Sequence, residues 1–307
     1  MCGIAGFVGF SKKNYSIEAV VTKMSNSIAH RGPDDSGIWI DQNSQIALAH
    51  QRLSILDLSS AGSQPMQSSS GRFIAVYNGE IYNHNSIRKK IDQSSRSIKW
   101  AGSSDTETLL EAIDFWGIEK AVSMIEGMFA IAIWDKKYNN LFLIRDRLGE
   151  KPLYYGLQSD TFIFASELKA IKCHPSFLNS IDRESIMLQM KFGYIPAPKS
   201  IYKGIKKLEP GNILKISFNN DGVCQDIKNT SYWAAEELLQ NRLSNQYDGD
   251  LTSAVNKLEE VLKKSIKSQM ISDVPIGAFL SGGIDSSLVV SIMQDLSTSS
   301  VKTFTIG

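Results

Sequence analysis

Over the first two-thirds of the chain, apolar residues alternate with polar ones or gather in short runs closed by turn-forming residues. This pattern predicts strands at 4–10, 37–40, 45–49, 73–77, 128–134, 141–144, 153–155, 162–165 and 213–218. Residues 136–140 read as a hairpin turn, and Asn219-Asn220-Asp221-Gly222 closes the last strand. Two stretches follow the helical period instead. Ile17, Val20, Val21, Met24 and Ile28 predict a helix over 17–28, and a second fits 106–116. Many antiparallel strands with segregated helices imply a layered α+β domain.

The pattern then changes twice. Residues 226–250 are polar and aperiodic and read as a linker, with one short helix near 233–239. Beyond it Val255, Leu258, Val261, Leu262, Ile266 and Met270 form one apolar helical stripe. A short apolar run (273–280), a glycine-rich turn, a helix and a strand at 301–306 follow, the order of a βαβ unit in a parallel sheet. The expected domains are 1–218, a linker at 219–250, and an α/β domain at 251–307. One βαβ unit leaves the faces of a parallel sheet uncovered. The second domain is therefore expected to be incomplete and the sequence a fragment of a longer protein.

Composition narrows the class. Hydrophobic residues make up 42% and charged residues 21%, as in a soluble globular protein. A net charge of +1 gives no reason to expect nucleic acid or an anionic membrane as partner. Cys2, Cys173 and Cys224 lie far apart, without metal-ligand spacing, and their odd number argues against a disulfide framework. That fits a reducing compartment, and the expected location is cytoplasmic. The start, with Ser11-Lys12-Lys13 close behind it, lacks a signal-peptide pattern, and no apolar stretch approaches membrane-spanning length.

Two places carry chemistry. Cys2 follows the initiator methionine, and methionine ahead of a small residue is normally trimmed. The mature chain would then begin with a thiol and a free α-amine on one residue, titrating near ~8.5 and ~8, so a proton passes between them at little cost. An N-terminal nucleophile activated by its own amine is an established route to acyl transfer; the competing reading is a small hydrophobe opening a strand. The second place is Ser281-Gly282-Gly283-Ile284-Asp285-Ser286-Ser287, between an apolar strand and a helix. Glycines allow close backbone approach, and hydroxyls beside free helix-terminal amides make an anion site. It lacks the Gly-Lys-Ser/Thr ending of a Walker loop.

These residues carry a resemblance. The Ser281–Ser287 string resembles the pyrophosphate loop of ATP pyrophosphatases, and Cys2-Gly3-Ile4 resembles the start of class II glutamine amidotransferases. Arg31-Gly32-Pro33-Asp34, Arg52-Leu53-Ser54-Ile55, Tyr77-Asn78-Gly79-Glu80-Ile81-Tyr82-Asn83 and Ser104-Asp105-Thr106-Glu107 look the same. So do Gly127-Met128-Phe129-Ala130, Arg145-Asp146-Arg147-Leu148-Gly149 and Phe164-Ala165-Ser166-Glu167. Both halves in this order are similar to the family of glutamine-hydrolysing asparagine synthetases. The resemblance implies a four-layer αββα N-terminal-nucleophile domain followed by the beginning of an α/β ATP-pyrophosphatase domain.

It further implies roles for residues. Cys2 is the nucleophile, and Asn78 and Gly79 supply the oxyanion hole. Arg52, followed by Leu53, Ser54, Ile55 and Leu56, takes the glutamine carboxylate, which a planar guanidinium fits bidentately. Asp105, with Glu80, takes the α-amino group. As bare sequence, Asn78-Gly79 reads as a type I′ turn and Asp105 as a helix N-cap; the residues flanking Asn78 favour the oxyanion reading. Leu280 and Ile306 match adenine contacts and otherwise read as buried strand residues. Ser281, Gly282, Gly283, Asp285 and Ser286 match the phosphate loop. His30, His50, His84 and His174 show no metal spacing and read as structural, and Cys173 and Cys224 as inert.

The expected activity follows from the resemblance. Cys2 forms a γ-glutamyl thioester and releases ammonia without a cofactor. In the full-length family, ammonia passes through an internal tunnel to a site where ATP and Mg²⁺ activate aspartate, giving asparagine, AMP and pyrophosphate. Glutamine, aspartate and ATP are the expected partners, and a homodimer is open to such a chain. Two rival readings stand: another carboxylate acceptor, such as a sugar acid of a polysaccharide, or a chain that hydrolyses or binds glutamine without synthesis. Amidotransferases acting on sugar phosphates or phosphoribosyl donors are disfavoured, since they carry no Ser-Gly-Gly-X-Asp-Ser loop.

Overall fold

The computed structural model describes residues 1–9, 15–94, 98–243 and 247–306. Phe10, Ser11-Lys12-Lys13 and Gly307 lie outside these. The strands are β1 (Gly3–Val8), β2 (Asp35–Asp41), β3 (Ile46–Arg52), β4 (Met66–Gln67), β5 (Phe73–Ile81), β6 (Gly127–Asp135), β7 (Asn140–Arg145), β8 (Tyr154–Gln158), β9 (Thr161–Ala165), β10 (Lys206–Lys207), β11 (Asn212–Phe218), β12 (Cys224–Ser231), β13 (Gly277–Phe279) and β14 (Lys302–Phe304). The helices are α1 (Ile17–Asn26), α2 (His84–Asp92), α3 (Asp105–Trp116), α4 (Ile118–Met124), α5 (Leu168–Lys172), α6 (Arg183–Phe192), α7 (Ala235–Leu243), α8 (Leu251–Gln269) and α9 (Ile284–Leu296).

The chain divides into two compact units, Met1–Ala234 and Ala235–Gly307. In the first, two antiparallel six-stranded sheets run β10-β8-β9-β1-β3-β2 and β12-β11-β7-β6-β5-β4. Ile4, Val8, Ile46, Leu48, Ile74, Val76, Ala132, Trp134 and Phe164 fill the space between them. The opposite faces are covered too. Ala5, Phe7, Ala47 and Ala49 pack with Val21 and Met24 of α1; Phe73, Ala75, Phe129 and Ile131 pack with Ile87 of α2 and Leu109 and Ile113 of α3. Strands buried on both faces are apolar at nearly every position, which is why several read as continuous runs. The result is an αββα stack.

Helix ends follow side-chain chemistry. Ser16 caps α1 and Ser104 caps α3, each hydroxyl accepting a backbone N–H of the first turn. Asp105 is therefore the first helical residue of α3 and not its N-cap.

Residues 226–231 depart from the expected linker. They belong to β12, the edge strand of the second sheet, paired along its length with β11. Most of its side chains are exposed, so no apolar alternation marks it, and the ladder to β11 supplies its order. Asn78-Gly79 is likewise no turn: it lies inside β5, where Asn78 pairs with Ala130 and Gly79 with Phe129.

In the second unit, β13 and β14 pair in parallel and α9 forms the crossover between them. Asp250 caps helix α8, its carboxylate accepting the Ser253 N–H. Much apolar surface stays uncovered here: Leu251, Phe279, Ile284 and Ile306 are all more than three-quarters exposed.

Candidate active site

Side chains on a strand alternate faces, so residues two apart share one. The inward positions Ile4 of β1, Ile46 and Leu48 of β3, Ile74 and Val76 of β5, and Ala130 and Ala132 of β6 belong to the dry inter-sheet core. Extending the same parity along each chain reaches Cys2, then His50 and Arg52, then Asn78 and Glu80, then Met128. The alternation that builds the core thus delivers these residues to one end of it. There Cys2, Arg52, Leu53, Asn78, Glu80 and Asp105 line a cavity of about 70 Å³.

Cys2 is half-buried. Its thiol lies 3.6 Å from the Leu53 carbonyl, and the Leu53 N–H donates to the sulfur at 3.4 Å. Burial pushes the thiol up, against the pull of the Leu53 N–H and the neighbouring terminal amine. The terminal amine, here on Met1, is lowered chiefly by burial, with Arg31 and Lys151 adding to the effect. Arg31 fixes the backbone at this point, its Nε donating to the Cys2 carbonyl at 2.9 Å and its Nη1 reaching Glu167 at 2.9 Å.

Asn78 is 1% exposed, yet its side-chain Nδ2 has no hydrogen-bond partner. An unpaired buried donor costs about 1–3 kcal/mol, so this amide is held ready for an acceptor that enters the cleft. A Cβ on Gly79 would stand 2.1 Å from the Met128 carbonyl, so only glycine lets β5 and β6 pair here. Arg52 is buried; its Nη1 donates to the Ser59 carbonyl at 3.0 Å and its Nη2 to the Asp57 carbonyl, fixing the guanidinium plane. Asp105 is buried as well and accepts from the Tyr77 hydroxyl at 2.8 Å and the Ile81 N–H at 2.9 Å. Burial nevertheless raises its carboxyl, against those two donors. Glu80 is raised by burial and then by the charge of Asp105. Two adjacent carboxyls under this pressure favour a cation between them.

His50 ties the sheets together. Its Nε2 donates to the Tyr77 carbonyl at 3.0 Å, the residue before Asn78, while Nδ1 is buried without a partner. Burial lowers its pKa to about 4, so the ring is neutral at physiological pH.

Of the residues expected around glutamine, all but Ser54 line the cavity; the Ser54 N–H bonds Asp34 at 2.8 Å instead. Gln64, Tyr77, Met128 and Lys151 line it without having been expected. Strand parity could have found Met128. Lys151 follows the 145–149 motif, whose acidic residue is fully buried: the Asp146 carboxylate accepts the N–H groups of Phe129, Leu148, Glu150 and Lys151. His30 and His174 lie outside the lining, as does His84, whose Nδ1 bonds the Ile81 carbonyl.

The loop of the second unit is built differently. Ser281 Oγ and Ser286 Oγ stand 3.0 Å apart, and Ser286 also donates to the Gly283 carbonyl at 3.1 Å. Gly283 opens α9 with no side-chain cap, and Gly282 has φ +80° with open space where a Cβ would be. Free amides and two hydroxyls at a helix start suit a phosphate group. Leu280 is half-buried, continuing the ladder through its N–H to the Phe304 carbonyl at 2.8 Å. Ile306 is 88% exposed and lies beyond β14, so it is not a buried strand residue. Among the described residues no group of three or more His, Cys, Asp or Glu is placed to hold a metal ion, and no helix is long and apolar enough to cross a membrane.

A family profile described as a glutamine amidotransferase domain matches residues 1–233, and one described as asparagine synthase matches residues 257–307. A putative glutamine-hydrolysing asparagine synthetase of Methanocaldococcus jannaschii is 36% identical, over 100% of this chain and 60% of its own. Asparagine synthetase 3 of Bacillus subtilis is 35% identical, over 95% of this chain and 45% of its own. A Gibberella zeae protein named amidase chry2 is 30% identical, over 96% and 43%. The chain thus spans about half the length of the curated relatives it matches. Among solved structures, glutamine phosphoribosylpyrophosphate amidotransferase from B. subtilis superposes with a TM-score of 0.52 at 17% identity, over 99% of this chain and 65% of that one, a likeness of fold.

Proposed function

The chain belongs to the glutamine amidotransferase domain family, and from that premise we propose that its first unit hydrolyses glutamine at Cys2 to supply ammonia. The observation that carries this reading is the unpaired Asn78 amide, buried in the same cavity as the Cys2 thiol, the Arg52 guanidinium and the Asp105 carboxyl.

The chemistry follows from the groups present. With Met1 removed, the Cys2 thiol gives its proton to its own α-amine and the sulfur attacks the side-chain carbonyl carbon of glutamine. The resulting oxyanion takes hydrogen bonds from Asn78 Nδ2 and the Gly79 N–H. One such preorganised donor is worth about 3–4 kcal/mol in the transition state. The amine returns the proton to the departing nitrogen, ammonia leaves, and water then frees glutamate from the thioester. Arg52 holds the substrate carboxylate, while Asp105 and Glu80 hold its ammonium.

For the second unit we propose ATP as substrate. The amides and hydroxyls at Ser281, Gly282, Gly283, Asp285 and Ser286 would hold its phosphates, with Leu280 and Ile306 beside the base. A single carboxylate, Asp285, is too few for a protein-built Mg²⁺ site, so the ion would arrive on the nucleotide's phosphates. In the whole protein the acceptor is aspartate and the product asparagine, in the cytoplasm. A second reading, glutamine hydrolysis without synthesis, is supported by the relative that is named an amidase.

Glutamate release from glutamine by the 307-residue chain, with Cys2→Ala as control, tests the first step, and intact mass after a glutamine-analogue electrophile locates the adduct. Retained Met1, or undiminished hydrolysis by Cys2→Ala, would sink it.

A further inference from the structure

Lys151 lines the cavity and is 5% exposed, yet among the described residues no carboxylate forms an ion pair with it. Its ammonium has two thioether sulfurs as partners, Met128 Sδ at 3.0 Å and Met1 Sδ at 3.4 Å. Thioethers are weak acceptors, so a buried cation is held here almost unsatisfied. The chain spends considerable structure on keeping it there. Asp146 Oδ2 accepts the Lys151 N–H at 3.0 Å, and the Arg145 Nε donates to the Lys151 carbonyl at 2.9 Å. The same guanidinium closes the loop on the Gly149 carbonyl at 2.7 Å and on the Leu208 carbonyl at 2.5 Å. The 145–149 motif, whose residues do not line the cavity, is thus a brace for Lys151.

The brace points at the N-terminus. Lys151 touches the side chain of residue 1, and Arg31 bonds the carbonyl of residue 2, so two cations flank the start of the chain. Removal of Met1 would take its thioether from beside the Lys151 ammonium and put the terminal amine on Cys2, which lines the same cavity as Lys151. We propose that Lys151 is a positioning residue of the glutaminase step: held against the chain's start, its charge keeps the α-amine of mature Cys2 unprotonated and able to take the thiol proton. That proton moves from Sγ to the amine and on to the departing nitrogen, so Lys151 gains and loses nothing. The other charged groups around the terminus are Arg31, which acts in the same sense, and the Cys2 sulfur, Asp34 and Glu80, which act against it; burial lowers Lys151 itself, while Glu80, Glu150 and Asp146 favour its charged form.

Given the reading of the Cys2 amine as base, two measurements separate the ideas. The first is the pH profile of kcat/KM for glutamine. The second is the pKa of the α-amine itself, from the pH dependence of its acetylation in the N-terminal peptide by mass spectrometry, which also reports removal of Met1. In Lys151→Met both the amine pKa and the acidic limb of the profile should move to higher pH by roughly one unit, and Lys151→Arg should restore both. Lys151→Gln carries the same expectation if Lys151→Met does not fold. An amine that shifts while the limb stays put supports the coupling and rejects the amine as base. An amine pKa unmoved by Lys151→Met or Lys151→Gln, with activity lowered equally at every pH, overturns the proposal.

Discussion

Around Cys2 the polar groups are buried between two sheets; around Ser281 the hydroxyls and amides stand in the open. In the first unit, Arg52, Asn78, Asp105 and Lys151 are each less than 10% exposed, and their backbones are strand, first helical turn or braced loop. In the second, Gly282, Gly283 and Ile306 are exposed and the strands they follow are three residues long. The difference teaches where preorganisation comes from. A donor left unpaired at 1% exposure, as in Asn78, is tolerable because β6 and β4 hold β5 in register and the flanking helices cover it. A phosphate loop needs less: its donors are backbone amides that water satisfies until an anion replaces it.

The contrast can be broken most directly at Cys2. Replacing it with alanine should abolish glutamine hydrolysis while leaving the thermal unfolding of the first unit unchanged, because the side chain is at the open end of the core. Loss of folding in calorimetry would show the residue to be structural instead.

Next in size are the two pocket donors. Asn78→Ala should lower kcat by about 10²–10³ with little change in KM, since its amide is paired only when the oxyanion forms. Arg52→Ala should act mainly on KM. Steady-state kinetics decide, and equal effects of both variants on both constants would contradict the division of roles.

His50 links the site to stability. The unfolded chain protonates this ring near pH 6.5, and the folded chain resists until about pH 4. Between those values the unfolded state binds more protons, so stability falls as pH falls, by about 3 kcal/mol over the window. Urea unfolding of the parent and of His50→Gln across pH 4–7 should show the parent losing stability more steeply on acidification. Parallel curves would mean the ring is protonated in the folded state.

The smallest effect is expected in the open unit. The 307-residue chain should bind ATP weakly and form no asparagine, and Ser286→Ala should weaken that binding slightly further. Calorimetric titration with ATP checks this, and robust ATP-dependent asparagine formation would show that the exposed loop suffices.

Much of this could be read from the chain itself. Alternation and short apolar runs placed most strands between Ile4 and Phe218, though not β4 or β10, the helical stripe placed α1 and α8, and the strand–glycine–helix order placed the βαβ unit, because each rests on local geometry that side chains declare one by one. The motifs likewise singled out Cys2, Arg52, Asn78 and Asp105. Three things only the tertiary structure decided. Strand β12 is polar because it is an edge, so its order comes from β11 and not from its own pattern. Asn78-Gly79 has the composition of a turn, and becomes mid-strand because β6 pairs through it and excludes any Cβ. Lys151 carries no mark in the local pattern, and becomes a buried cation at the N-terminus because Asp146 and Arg145 fold the preceding loop back against β6. In each case the deciding interaction joins residues far apart in the chain, and no local pattern records which partner a backbone amide or a charge will meet.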